Sequence, residues 1–386
     1  MTVTVPGPTL GVVGGGQLGR MLAEAAAPLG VEVVVLDPTP ECPASPVARD
    51  QIVGDFDDPD AFRELAARVD ALTFEIELAD AELLDDVAAA FDLSVNPAPE
   101  TLSMIEDKLV QKRALDEAGV PVPPFRRVDD ADDLRAALDE FGSVMLKART
   151  GGYDGRGNVP VTDPDDAEEA MAAVGGPAMA ETFVDFEREL SVIAVQGEGE
   201  IRTFPAGENV HEEEILRETI LPARTTDEVL SRAEGVARDV LDTLSGRGVF
   251  GIELFETADG SISVNEIAPR PHNSGHWTIE GARTSQFEQH VRAVLGWPLG
   301  STRLRCPTVM ANVLGTVDEP RPARLGNAEA VLGDEDASLH WYGKEEVRPL
   351  RKMGHLTVTG NGAGDDHVPR DLLAHARDVR DALTFE

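Results

Sequence analysis

Apolar positions in this chain come in short runs separated by stretches of helical composition. Leu10–Val13 is one such run, closed by Gly14, Gly15 and Gly16; Gln17–Pro28 then has the composition of a helix, and the β-branched run Val31–Leu36 follows. Strand, helix and strand in that order predict a βαβ unit. The alternation continues with a helix over Ala61–Val69, a strand over Ala71–Ile76 and a helix over Ala81–Phe91, until Asn96–Pro99 marks an exit. A first boundary falls near residue 100.

Beyond it the pattern changes. Lys108–Ala118 predicts a helix, Gly119–Pro124 a proline-rich link, and Val144–Ala148 a buried strand. Gly151, Gly152, Gly155 and Gly157 crowd too closely for a helix or sheet interior and predict a mobile loop. Strands are expected at Ala178–Phe183, Leu190–Val195, Gly248–Phe255 and Ser261–Ile267, and a helix at Glu228–Leu244. From about Cys306 strands and turns alternate, ending in a helix near Arg370–Leu383. No internal repeat or low-complexity segment stands out.

Composition narrows the class. A length of 386 residues suits two or three domains, and 42% hydrophobic residues suit a globular chain. No apolar run reaches the length of a membrane span, and the first cationic side chain is Arg20, so no basic leader is evident. The expected location is the cytoplasm. Cys42 and Cys306 lie far apart without CxxC spacing, which argues against a disulfide framework or a zinc ribbon. The net charge of −37 would repel a phosphate backbone and disfavours nucleic acid as a partner. Such an acidic excess resembles adaptation to high intracellular salt. Only five residues are lysine, namely Lys108, Lys112, Lys147, Lys344 and Lys352. Each lysine retained in so poor a background invites a specific explanation.

Several constellations could carry chemistry. Gly14–Gly19 satisfies GxGxxG between a strand and a helix, with Asp37 closing the next strand. This spacing leaves three readings open: a dinucleotide, another phosphate ligand, or close packing alone. Lys147 ends a strand beside the glycine loop, as a lysine that holds nucleotide phosphates does, with Arg149 and Arg156 as further fixed cations. Glu253 and Glu266 lie on two strands joined by the turn Asp259-Gly260, and with the adjacent Asn265 they suit magnesium. The loop Ala268–His276 follows directly; its Arg270, His272 and Asn273 suit a small-anion pocket. Lys344 and the Arg348–His355 stretch concentrate cations that suit a second phosphate.

At these residues the chain resembles the ATP-grasp superfamily and, within it, the family of N5-carboxyaminoimidazole ribonucleotide synthases. The resemblance is carried by GGGQLGRML at 14–22, DKLVQK at 107–112, LKARTGGYDGRGN at 146–158, FERELSVI at 186–193, VNEIAPRPHNSGHWT at 264–278, SQFEQHVRAVLGWPLG at 285–300 and KEEVRPLRKMGHLTV at 344–358. RPHNSGH together with RKMGH separates this family from other ATP-grasp carboxylases better than the glycine loops do.

The resemblance implies an α/β and α+β fold in three parts: an N-terminal nucleotide-like domain over 1–100, an ATP-grasp domain over 101–300 with its glycine lid near 150–157, and a small C-terminal domain over 301–386. ATP would sit between two antiparallel sheets. It would meet Lys108 and Lys147 at its phosphates, Glu181 and Val184 at the adenine edge, Glu189 at the ribose, and Asn265 and Glu266 beside Mg2+. Glu253 and Glu266 would hold that Mg2+. Arg270, His272 and Asn273 would grip bicarbonate. The substrate 5-aminoimidazole ribonucleotide would meet Gln17, Leu18, Tyr153, Asp154, Arg156, Lys344 and Arg351. Asp154, His272 and the phosphate itself are candidates to take up the proton released in carboxylation. The implied partners are these small molecules and a second copy in a homodimer, with neither nucleic acid nor a membrane. Two alternatives are a related ATP-grasp formyltransferase and a nicotinamide-dependent oxidoreductase, the latter resting on the first fifty residues alone. One departure is Leu350, where the family usually has glycine before the arginine.

Overall fold

The computed structural model describes residues 3–151, 157–360 and 368–386. Its first layer is a parallel sheet in the order Asp50–Val53, Glu32–Asp37, Thr9–Val13, Ala71–Phe74, Ser94–Val95. The central strands are buried on both faces, as helices on either side of a parallel sheet require. The two outer strands were not expected from the pattern, being short and partly polar. Helix Gln17–Ala26 stops earlier than its composition suggests, because Pro28 lacks the N–H that would extend it and Gly30 closes the turn at φ 71°. Helix Pro59–Ala66 begins ahead of its apolar pattern, since Asp58 accepts from the Asp60 and Ala61 N–H groups. Pro99, read as part of an exit, instead opens a helix, Pro99–Glu106, where its missing N–H costs nothing.

Two antiparallel sheets follow. The smaller has the order Phe125–Val128, Ala178–Thr182, Val144–Ala148, Asn158–Val161 and is covered by helices Ala131–Phe141 and Ala167–Val174. The larger runs Ile262–Ala268, Gly248–Thr257, Phe186–Gln196, Gly207–Glu212, Ile215–Leu221, Thr308–Leu314, Lys352–Thr359, Ala337–Trp341. It crosses residue 300 without a break, since Leu221 pairs with Thr308 and Glu218 with Ala311. Helix Val368–Asp381 packs on its far end, where Arg377 binds both oxygens of the buried Glu218 at 3.0 Å.

Helix Gln286–Val294, unseen in the pattern because buried Gln286, Gln289 and His290 interrupt its apolar face, stands at the centre. It packs against helix Gln17–Ala26 and strand Gly248–Thr257. His290 accepts the Val249 N–H at 3.1 Å through Nδ1, which leaves Nε2 to donate to Thr73 Oγ1 at 2.8 Å. One neutral histidine thereby joins the first sheet to the large one. Among the described residues no helix is long and apolar enough to cross a membrane.

Candidate active site

The glycine turn after Thr9–Val13 is already engaged. Asp37 Oδ2 accepts the Gly15 N–H at 2.8 Å, and Oδ1 accepts the Thr39 N–H at 2.8 Å. Glu75 Oε1 accepts the Gly16 N–H at 2.7 Å. Gly14, at φ 106°, is required because a Cβ there would lie 2.6 Å from Glu75 Cγ. Glycines at this turn therefore admit two protein carboxylates, and Asp37 is buried and bonded to the Gly15 and Thr39 amides. Gln17 opens the helix, and Leu18 is 5% exposed with its side chain in the core. At Leu18 it is the main chain, not the buried side chain, that is placed to meet a ligand.

The second constellation is a recess lined by Lys108, Gln111, Lys112, Lys147, Asn158, Met179, Asn265 and Glu266. Helix Lys108–Glu117 begins there because Asp107 caps it, accepting from Leu109 N–H at 3.0 Å and Val110 N–H at 3.2 Å. Arg149 binds the same carboxylate, with Nε 3.0 Å from Oδ1. In this structure it secures the helix cap. Glu181 is buried between Lys147, at 2.5 Å, and Lys112, at 2.6 Å. Burial acts to raise the Glu181 pKa, but the two ammonium groups outweigh it and hold the carboxyl below its usual range. The side chain expected at an adenine edge is thus paired with two lysines, and its main chain lies in a strand paired on both sides, opposite Phe125 and Met145. Val184 lies in the link between the two antiparallel sheets, partly buried. Glu189, expected at a ribose, lies 2.5 Å from His211 Nδ1.

Glu253 and Glu266 face each other across the strand pair Gly248–Thr257 and Ile262–Ala268. The register slips at Asn265, a bulge that re-aims the end of the strand. Lys108 donates to Glu266 Oε1 at 3.1 Å, and Lys147 to Asn265 Oδ1 at 3.3 Å. The Lys108 charge pulls Glu266 down to about 2, whereas burial pushes Glu253 up to about 7. Two carboxylates and an amide oxygen are hard donors, and a cation beside Glu253 would favour its ionised form. That donor set fits magnesium. No group of three or more His, Cys, Asp or Glu side chains forms a complete metal cage among the described residues.

The loop after Ile262–Ala268 holds groups without partners. Arg270 Nη2 binds Glu77 at 2.8 Å, but its buried Nε has no hydrogen-bond partner. Both side-chain amide atoms of Asn273 are buried and unpaired. His272 Nδ1 lies 2.9 Å from Ser274 Oγ, and its Nε2 is 3.9 Å from Glu253. Burial, together with the Arg270 charge, pulls the His272 pKa down to about 3, so the ring is neutral. Beyond it, His276, His355 and His340 form a ring stack with centroid spacings of 4.8 and 4.6 Å. Lys344 Nζ donates to the Lys352 carbonyl at 2.7 Å and sits 5.5 Å above the Tyr342 ring.

Three family models match in order: a ribonucleotide synthetase preATP-grasp domain over residues 8–106, an ATP-grasp domain over 113–287, and a phosphoribosylaminoimidazole carboxylase C-terminal domain over 308–365. An N5-carboxyaminoimidazole ribonucleotide synthase from Brucella melitensis is 44% identical over 357 residues, covering 91% of this chain and 96% of the relative. The chain belongs to the N5-carboxyaminoimidazole ribonucleotide synthase family. The Bacillus subtilis synthase is 40% identical and covers 92% of each chain. The Aspergillus clavatus synthase, solved in complex with ADP and 5-aminoimidazole ribonucleotide, is 35% identical and superposes at a TM-score of 0.89, covering 98% of this chain and 99% of that one. This chain is accordingly an ATP-grasp ligase, and the oxidoreductase and formyltransferase alternatives fall away.

Set against the synthase expectation, Lys108, Lys147, Asn265 and Glu266 share one recess with Glu181 behind it. Tyr153, Asp154 and Arg156 lie outside the described residues, as does most of the expected lid. Arg351 donates to the Glu346 carbonyl at 2.7 Å. Leu350 sits at φ 61°, the left-handed region that favours the family's glycine. Sequence reasoning missed Lys112, the most buried cation, and Glu75 and Glu77 behind Gly16 and Arg270. Lys352, read only as one of the Arg348–His355 cations, has a charge that lowers the pKa values of both His272 and Glu253. The lysine scarcity pointed to Lys112 and Lys352 as strongly as to the three lysines that were chosen.

Proposed function

We propose the following course for the family's reaction in this chain, the ATP-dependent carboxylation of 5-aminoimidazole ribonucleotide to N5-carboxyaminoimidazole ribonucleotide in purine biosynthesis. ATP lies between the two antiparallel sheets, its phosphates on Lys108 and Lys147. Lys112 stands behind them, neutralising Glu181, and Val184 and Glu189 border the base and ribose. Glu253 and Glu266, with Asn265, would hold Mg2+, which supplies charge neutralisation to the transferring phosphoryl group. Arg270, His272 and Asn273 grip bicarbonate. Its oxygen attacks the γ-phosphorus to give carboxyphosphate and ADP; carboxyphosphate releases carbon dioxide and phosphate, and the exocyclic amine of the ribonucleotide attacks carbon dioxide. The carbamate forms as that nitrogen loses a proton. His272, with its pKa held near 3, is a weak base suited to orienting bicarbonate. The released phosphate is a stronger base than that imidazole, and Asp154 is the third candidate acceptor.

The ribonucleotide is placed by the main chain at Gln17 and Leu18, by Tyr153, Asp154 and Arg156, and by Lys344 and Arg351. The observation that carries the bicarbonate assignment is the set of buried, unpartnered groups on Arg270 and Asn273, one strand end away from the two glutamates. ADP release measured with and without bicarbonate, formate and the ribonucleotide tests it. Release that requires bicarbonate and ribonucleotide together supports the reading, and formate-driven release overturns it. The three-part division at residues 100 and 300, the homodimer and the cytoplasmic location belong to the same proposal. The −37 net charge is read as a salt adaptation, so unchanged stability at about 0.1 M salt, where the Debye length reaches about 10 Å, would refute it.

A further inference from the structure

We propose that Gln286 is a positioning residue for carboxylation, clamping the main chain of His272 and tying the bicarbonate loop to the buried histidine stack. This rests on the reading of Arg270, His272 and Asn273 given above. Gln286 is fully buried at the first position of helix Gln286–Val294. Its own N–H donates to Thr278 Oγ1 at 2.9 Å, and that hydroxyl donates to the Gly275 carbonyl at 2.6 Å. Its side-chain Oε1 accepts the His272 N–H at 2.9 Å, while Nε2 donates to the His272 carbonyl at 2.7 Å. The amide thus bonds both main-chain groups of one residue, as a neighbouring strand would, in a loop that has left the sheet. Gly275 leaves room for this clamp, since a Cβ there would lie 2.4 Å from Gln286 Oε1.

The same Nε2 lies 3.2 Å from His276 Nδ1. Because Oε1 already takes the His272 N–H, Nε2 is the donor and His276 accepts. From His276 a buried path continues to the His355 ring, then to the Tyr342 hydroxyl 3.0 Å from His355 Nδ1, and to Lys344 above the Tyr342 ring. One side chain therefore fixes the loop expected to hold bicarbonate and meets the path that ends at a lysine expected to hold the ribonucleotide. Leucine fills the space but makes none of these bonds. An ionised glutamate accepts from the His272 N–H but repels the His272 carbonyl; once protonated, it restores both bonds.

The test compares Gln286→Leu and Gln286→Glu with the unaltered full-length chain, by steady-state ADP release at varied bicarbonate and ATP and by thermal unfolding in the same buffers. Gln286→Leu should lower kcat over KM for bicarbonate about 10- to 100-fold, the scale of a catalytic group held slightly out of place, with the ATP KM changed less than about twofold. Gln286→Glu should regain activity relative to wild type as the pH is lowered toward about 6, where its carboxyl takes a proton. Wild-type bicarbonate kinetics in both variants would overturn the proposal, as would a loss shared equally by ATP and matched by loss of folded protein. A Gln286→Glu pH profile parallel to wild type would overturn it too, and that arm stands even if Gln286→Leu does not fold. Arg270→Ala, run alongside, separates the two readings. If it leaves bicarbonate dependence intact, the loop assignment itself fails; if it loses carboxylation while the Gln286 variants keep it, only the clamp fails.

Discussion

Two places in this molecule look built for an anion, and they differ in what is already bound to them. At the Gly14–Gly19 turn the amides of Gly15 and Gly16 are held by Asp37 and Glu75. At the 270–276 loop, which carries no glycine signature, Arg270 Nε and both amide atoms of Asn273 are buried without partners. Those two amides are satisfied as they stand. The loop holds buried polar atoms without protein partners, each costing about 1–3 kcal/mol if left unpaired, which a bound anion would offset. A familiar spacing marks where backbone comes close to something, and burial without partners marks where something is still missing.

Arg270→Ala should show the largest effect, a fall of about 100- to 1000-fold in bicarbonate-dependent ADP release with ATP affinity retained. The sharpest contrast comes from pairing Asn273→Ala with Asp37→Ala. The first should reduce carboxylation about 100-fold while leaving the unfolding temperature level or raised, since no bond is lost in the free protein. The second should cost about 2–3 kcal/mol in denaturant unfolding, leaving the Gly15 and Thr39 N–H groups unpaired, and should create no affinity for NADH. Equal stability losses in the two would erase the distinction between the places.

Glu75 gives the pH dimension. Burial first, with a smaller contribution from the Asp37 charge, pushes its pKa from 4.5 up to about 7 despite the nearby Arg270. Between those values the folded chain binds more protons at this group than the unfolded chain, so its contribution to stability falls as pH rises. Glu75→Gln keeps an acceptor for the Gly16 N–H but does not titrate. Its stability relative to wild type should therefore grow by about 2 kcal/mol from pH 5 to pH 8, read by chemical denaturation. A constant difference would show that Glu75 titrates normally. The smallest effect is expected from Leu350→Gly. Relief of a left-handed residue is worth about 1–2 kcal/mol, and the flexibility glycine adds to the unfolded chain offsets about half of it. The net gain should be under about 1 kcal/mol, with the ribonucleotide KM unchanged.

Most of the first sheet was legible because its central strands are buried on both faces and read as unbroken apolar runs, Leu10–Val13 and Val31–Leu36 among them. Helix Ala131–Phe141 was not, since acidic residues on its outer side dilute the apolar stripe of Leu134, Ala137 and Leu138. Gln286–Val294 failed for the opposite reason: its buried face carries glutamines and a histidine whose partners lie far away in sequence. In the site, the residue types of Glu253, Glu266 and Arg270 were readable from spacing. The commitment of Asp37, Arg149 and Glu181 to other protein groups was not, because it depends on which loops the fold brings together. Leu350 is the converse case, where one residue out of pattern correctly marked a turn that asks for glycine.

The ladder between Ile215–Leu221 and Thr308–Leu314 bears on how this protein can be divided in the laboratory. A cut near residue 300, attractive from the family boundaries, would separate four residue pairs from Glu218–Ala311 to Leu221–Thr308 and leave each fragment with an open, apolar strand edge. It would also strip Glu218 of the two arginines that neutralise it in the interior, Arg377 and Arg380. Neither piece would be a soluble module, so split-enzyme reporters and truncations should keep this ladder whole.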